Sequence, residues 1–79
     1  MNALIQDENF GDILRRLRKE RNLTQEALTI QMQLLGSTMS RGTYTKIERG
    51  GRNIKISDLK IIKQVFDVSY EELLGDTEQ

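Results

Sequence analysis

Cysteine and histidine are both absent from the 79 residues. The two gaps remove much familiar enzyme chemistry: no disulfide framework, no thiolate or imidazole ligand for zinc, no cysteine nucleophile and no imidazole base. Proline is missing too, so nothing in the chain forbids a helix outright. Long apolar runs are also wanting. The longest stretch without a charge, ALTIQMQLLGSTMS from Ala27 to Ser40, falls short of the roughly 18 apolar residues of a membrane span and is interrupted by Gln, Ser, Thr and Gly. The first residues, MNALIQDENF, carry acids where a secretory signal carries basic residues. A cytoplasmic protein is expected, with no membrane segment, no metal and no cofactor. A chain of this length makes one small domain that buries only about 60% of its unfolded surface, which leaves little room for an occluded catalytic cavity. Glu71 and Glu72 are adjacent and diverge on a helix, and no glycine-rich phosphate loop occurs, so an enzyme is not expected.

Formal net charge is zero, yet the charges are sorted. Residues 15–21, RRLRKER, hold five basic side chains and one acid, and residues 41–55 hold Arg41, Lys46, Arg49, Arg52 and Lys55 against Glu48. Asp7, Glu8 and Asp12 make the beginning acidic, and Asp67, Glu71, Glu72, Asp76 and Glu78 the end. A basic face that meets a polyanion produces this pattern; so does an ordinary mixed surface.

Hydrophobic spacing predicts helix nearly throughout. Phe10, Ile13, Leu14 and Leu17 fall at i, i+3, i+4 and i+7, the stripe of an amphipathic helix over about 9–21. Thr24 is a good N-cap, with Leu23 before it and Leu28 placed as a hydrophobic staple. The second helix then runs to about 35, where Gly36 suits a left-handed C-terminal position. The same hydroxyl-and-staple signal recurs at Ser40 (Met39, Tyr44), Ser57 (Ile56, Ile61) and Ser69 (Val68, Leu73), and Glu72 completes a capping box with Ser69. Helices are therefore expected over about 41–49, ended by Gly50-Gly51, over 58–66 and over 70–74. The chain reads as one all-α domain over 9–75, with tails at 1–8 and 76–79.

On a helical wheel the third helix turns Tyr44 and Ile47 inward and Gly42, Thr45, Lys46 and Arg49 outward. Its first turn adds Ser40, Arg41 and Thr43, so hydroxyls, long cations and free helix N–H groups converge. Phosphate oxygens accept from all three, and a guanidinium or ammonium can also reach guanine O6 and N7. A glycine inside a helix costs about 1 kcal/mol relative to alanine. Gly42 on the outer face therefore implies either close approach of another surface or an irregular first turn.

LTQEAL at 23–28, SRGTYTKIERGGRN at 40–53 and VSYEELLG at 68–75 together resemble the lambda-repressor-like helix-turn-helix family, the Cro or XRE type. The likeness spans roughly residues 10–75. It implies a five-helix DNA-binding domain in which helices 2 and 3 form the helix-turn-helix and helix 3 enters the major groove. By resemblance, Gln25 contacts a phosphate and buttresses the recognition helix; Arg41, Gly42 and Lys46 fall where base edges are read, with Thr45 close by. Ser40, Thr43, Arg49 and Arg52 match backbone-contacting positions. Lys46 has phosphate as its alternative partner. Arg18 and Glu48 match a buried ion pair joining helices 1 and 3, while Arg15, Arg16 and Lys19 are assigned mostly to a solvated face. One departure stands out. Met32-Gln33 occupies the place of the usual Leu-Gly pair, and LGSTM intervenes before Ser40, so the turn is lengthened and Met39 is expected to tuck against the core.

The function implied is sequence-specific binding of double-stranded DNA by a transcriptional regulator, with repression the expected direction. A palindromic operator and a homodimer, assembled mainly on DNA, are the partners expected. By resemblance, the small apolar surface near the last helix, including Tyr70, Leu73 and Leu74, with the adjacent tail, forms a two-fold contact; the alternative is that Leu73 and Leu74 simply close the core. The alternative is an antitoxin or another protein-interaction module that uses the same fold to hold a protein partner such as a toxin.

Overall fold

The computed structural model describes residues 8–51 and 53–75. The expected tails and Arg52 lie outside this range, except that Glu8 begins the first helix. Five helices follow in order among the described residues: α1 (Glu8–Glu20), α2 (Gln25–Leu34), α3 (Arg41–Glu48), α4 (Ile56–Phe66) and α5 (Tyr70–Leu74). The molecule is all-helical, as the spacing predicts.

Local chemistry sets most of the boundaries. Thr24, Ser40 and Ser69 cap α2, α3 and α5, each accepting the backbone N–H three residues on, and Ser69 with Glu72 forms the reciprocal capping box. The first four helices end alike. Asn22, Gly36, Gly50 and Asp67 take positive φ, and the next amide in each case reaches back five residues, as Ser37 N–H does to the Met32 carbonyl at 3.0 Å. The reversal satisfies carbonyls that a helix end would leave open. Asn and Asp are the non-glycine types that best tolerate this conformation.

Helix α4 corrects the reading of Ser57 as its cap. The helix begins at Ile56, and the cap position is Lys55, which makes no side-chain cap bond. The Leu59 amide bonds the Lys55 carbonyl at 2.9 Å, closing the first turn two residues earlier than expected. Burial explains the shift: the apolar pair flanking the true start is Ile54 and Leu59, both in the core, whereas Ile56 is 40% exposed.

One core joins all five helices. Phe10, Leu14 and Leu17 of α1 meet Leu28 and Met32 of α2, Tyr44 and Ile47 of α3, Leu59, Ile62 and Phe66 of α4 and Leu73 of α5, with Met39, Ile54 and Val68 added from the connections. Leu73 is thus core, with Leu74 packed partly against it. Helix α3 packs on both α1 and α2. The approach to α1 is close enough to demand glycine: a Cβ at Gly11 would overlap the Glu48 carbonyl oxygen and stand 2.8 Å from its carbon. Among the described residues no helix is long and apolar enough to cross a membrane.

Candidate nucleic-acid interface

Helix α3 is held by its inner face and leaves its outer face free. Tyr44, Ile47 and Glu48 are buried, while Arg41, Gly42, Lys46 and Arg49 are exposed and Thr43 and Thr45 are half-buried. The buried acid is the hub of a polar network. Arg18 Nε donates to Glu48 Oε2 at 2.7 Å and Arg18 Nη2 to Oε1 at 3.2 Å, a two-point pairing of fork and carboxylate. The Tyr44 hydroxyl donates to Oε2 at 2.6 Å and the Gln25 amide to Oε1 at 3.1 Å. Arg18 Nη1 adds a bond to the Leu23 carbonyl at 2.8 Å. The Gln25 amide oxygen in turn accepts the Thr45 hydroxyl at 2.6 Å. Gln25 therefore links the start of α2 to α3 by both ends of its amide.

The electrostatics follow from these contacts. Burial pushes the Glu48 carboxyl upward, but hydrogen bonds from Arg18, Tyr44 and Gln25 outweigh it and hold the group below its ordinary range. The hydrogen bond to Glu48 raises Arg18. Burial, then the bond to Glu48, pushes the Tyr44 hydroxyl well above its usual range. Arg18 and Glu48 are charged and Tyr44 is neutral at physiological pH.

Over this hub lies an open groove of about 440 Å³, lined by Arg15, Arg18, Lys19, Gln25, Arg41, Thr45, Glu48 and Arg49. Glu48 answers Arg18, so Arg15, Lys19, Arg41 and Arg49 leave it strongly positive. Arg15 approaches Glu48 only to 3.7 Å and is half exposed. On the other side of α3, Ser40 and Thr43 line a smaller hollow of about 160 Å³ with Thr38, Met39, Lys55 and Asp58. Ser40 Oγ accepts the Thr43 amide at 3.1 Å. Gly42 and Lys46, one turn apart, form the crest between the two hollows. A Cβ at Gly42 would meet nothing nearer than Ser40 Oγ at 3.9 Å, so no packing inside the domain requires a glycine there.

The residues singled out from sequence thus divide into a crest, two flanks and a buttress, with Arg52 outside the described residues. The basic run of α1 is divided more finely than expected. Arg16 pairs with Glu20 on the surface at 3.3 Å. Arg21 bonds the Phe66 carbonyl at 3.0 Å and lies over the Phe66 ring, 5.2 Å from its centroid, tying α1 to the end of α4. Arg15 and Lys19 do not merely cover a solvated face; they stand beside Arg41 and Arg49 in the groove. Spacing alone does not place them there, because their position depends on how α1 crosses α3.

Comparison with known proteins identifies the family. Residues 14–73 match the family described as Helix-turn-helix. The chain is 35% identical over 71 residues to the control protein C.MunI of a Mycoplasma species, covering 89% of each. It also resembles the crystal structure of the restriction-modification controller protein C.AhdI from Aeromonas hydrophila, with a TM-score of 0.73, 29% identity, and coverage of 84% of this chain and 92% of that one. This chain belongs to the helix-turn-helix family, as a DNA-binding transcriptional regulator and not an enzyme.

Proposed function

We propose that two copies of the chain occupy a palindromic duplex site, each seating α3 in the major groove, and thereby repress transcription. The observation that carries this reading is the face of α3: Arg41, Gly42, Lys46 and Arg49 point outward beside a positive groove while Tyr44, Ile47 and Glu48 anchor the helix within. Phosphates supply affinity and base edges supply choice. Arg41 and Lys46 are the base readers, with guanine the preferred partner on donor geometry. Arg15, Lys19 and Arg49, with Ser40, Thr43 and Lys55 across the helix, meet the backbone, and Gly42 lets the duplex come close. Gln25 serves as a buttress first, its amide being bonded to both Glu48 and Thr45.

Dimerisation on the operator, rather than before it, fits the surface near α5. Leu73 is spent on the core, and Tyr70, 42% exposed with Lys63 Nζ 5.0 Å from its ring centroid, is the main apolar group left there. Among the described residues α5 thus offers little apolar surface, as expected of a contact completed only on DNA. Repression follows from occlusion, because a domain seated across a promoter excludes polymerase. The likeness to a restriction-modification controller makes the genes of such a system the first place to seek the operator.

Binding-site selection with the purified chain tests the reading. It should return a two-fold symmetric site, with half-site centres about one helical turn apart. Arg41→Ala and Lys46→Ala should each relax single base positions. Replacing Arg15 and Lys19 together by Gln should leave the preferred sequence alone and lower the slope of log affinity against log salt by about 1.8, or about 0.9 for each lost phosphate contact. A chain that enriches no sequence from a random pool, even at low salt, would refute the proposal.

A further inference from the structure

We infer that Asp58, on α4 and outside the helix-turn-helix itself, is a positioning residue for base reading: through Ser37 it latches the lengthened turn and so sets the tilt of α3. The inference rests on the DNA-binding reading above. Its basis is an unbroken chain of bonds. Ser37 and Asp58 are both 7% exposed, and the Ser37 hydroxyl donates to Asp58 Oδ1 at 2.8 Å. Ser37 Oγ accepts the Met39 amide at 3.0 Å, and the Gln33 amide donates to the Met39 carbonyl at 2.8 Å. Met39 is buried, and the next residue, Ser40, caps α3. A six-residue connection free to flex would make a poor mount for a recognition helix; here its middle is bonded to α4 and its far end to α2.

Helix α3 is consequently pinned at two ends by different means. Glu48, Arg18 and Gln25 hold the C-terminal half, and the Asp58–Ser37–Met39 latch holds the N-terminal end. Releasing the latch leaves the first pin as pivot. Arg41 lies about 10 Å from Glu48 along an axis that rises about 1.5 Å per residue, so a tilt of about 10° moves it about 2 Å. Two-point recognition of a base edge needs donors at about 2.7–3.2 Å and does not survive that displacement. Phosphate contacts made by long cations do. Lys46, close to the pivot, moves little. The latch therefore governs specificity at the position that Arg41 reads and spares the larger share of non-specific affinity, which the long cations Arg15, Lys19, Arg49 and Lys55 carry.

The test uses the full chain, the duplex selected by the unaltered protein and a scrambled duplex of equal length, at a temperature where melting curves show each variant folded. Asp58→Ala and Ser37→Ala should each lose roughly tenfold of the preference for the selected duplex, the scale of one good base contact. The two combined should lose no more than Ser37→Ala alone, since that change already cuts both the bond to Asp58 and the bond from the Met39 amide. Repeated selection should relax the same base position that Arg41→Ala relaxes. Asp58→Asn should restore most of the preference, because its amide oxygen still accepts from Ser37, and binding to the scrambled duplex should stay within about twofold throughout. Gln33→Ala guards against loss of fold: the side chain is exposed, the change cuts only the bond to Met39, and the expected loss is about threefold. Retained preference in every variant, relaxation spread evenly over all positions, or equal loss on both duplexes overturns the latch. An unaltered chain that fails to distinguish the two duplexes instead overturns the DNA-binding reading on which it rests.

Discussion

Removing the Glu48 carboxylate is the sharpest test of how the domain holds α3. Glu48 is 4% exposed and accepts from Arg18 twice, from the Tyr44 hydroxyl and from the Gln25 amide. In Glu48→Ala, Arg18, itself 9% exposed, keeps the Leu23 carbonyl but loses its counter-charge. Breaking a buried pair from one side costs about 3–5 kcal/mol, because a largely buried charge is left without its counter-charge. At about 0.05–0.15 kcal/mol per residue a chain this long has about 4–12 kcal/mol in all. The variant should therefore melt about 12–40 °C lower, at about 4–8 °C per kcal/mol, and part of the population can be unfolded at room temperature. Glu48→Gln gives the graded version. It keeps the volume and one acceptor, loses the charge, and should cost about 1.5–3 kcal/mol, the worth of a hydrogen bond to a charged group.

The same residue predicts how stability responds to acid. Its folded pKa lies below the ordinary value of 4.5. The stabilisation is therefore complete above the unfolded value and is lost as pH falls through the folded one. Urea unfolding followed by far-ultraviolet circular dichroism, from about pH 7 down to about pH 3, should show the gap between wild type and Glu48→Gln at its widest near neutrality and closing as acid protonates Glu48. A loss below about 1 kcal/mol for Glu48→Ala, or a gap that stays constant across the pH range, refutes the argument.

Two glycines on opposite sides of this assembly should respond oppositely to a single methyl group. Gly42→Ala meets no packed atom and should stabilise the fold by up to about 1 kcal/mol through helix propensity, yet weaken DNA binding by intruding where the duplex approaches; paired melting and binding titrations check both signs, and a variant that binds as well as wild type removes the argument for close approach. Gly11→Ala drives a methyl into the Glu48 carbonyl and should cost about 1–3 kcal/mol. Unchanged urea midpoints for Gly11→Ala would show that α1 can shift without disturbing α3.

What could be seen in the sequence, and what could not, divides along the range of the interaction. Caps, stripes and left-handed ends depend on residues within a few positions of one another, so α2, α3 and α5 are legible from Thr24, Ser40 and Ser69 and their apolar flanks. Ser57 misleads because Ile56 and Ile61 imitate a staple; only the core reveals that Ile54 and Leu59 are the pair buried. The outward set on α3 is legible from its wheel, and Met39 from the need to anchor a long turn. Arg15 and Lys19 are not, since their place in the groove depends on the crossing of α1 over α3, which Gly11 permits. Asp58 is hidden for the same reason. Its partner is 21 residues away, and nothing local to α4 marks it.

Why the domain fastens α3 with charge deserves a physical answer, since an apolar pair of similar volume would hold two helices together as well or better. Hydrophobic contact is non-directional and would tolerate rotation of α3 about its axis. A rotation of one residue, about 100°, would exchange Lys46 for Ile47 on the crest. The Arg18 fork allows no such freedom: Nε and Nη2 must meet one carboxylate while Nη1 meets the Leu23 carbonyl, and Tyr44 and Gln25 approach that carboxylate from α3 and α2. The network also keeps the groove's charge in order. Glu48 cancels Arg18 at the buried floor, and the exposed cations of α1 and α3 remain for phosphate. The ion pair thus contributes less to the amount of stability than to its direction, fixing which side of an eight-residue helix is turned outward.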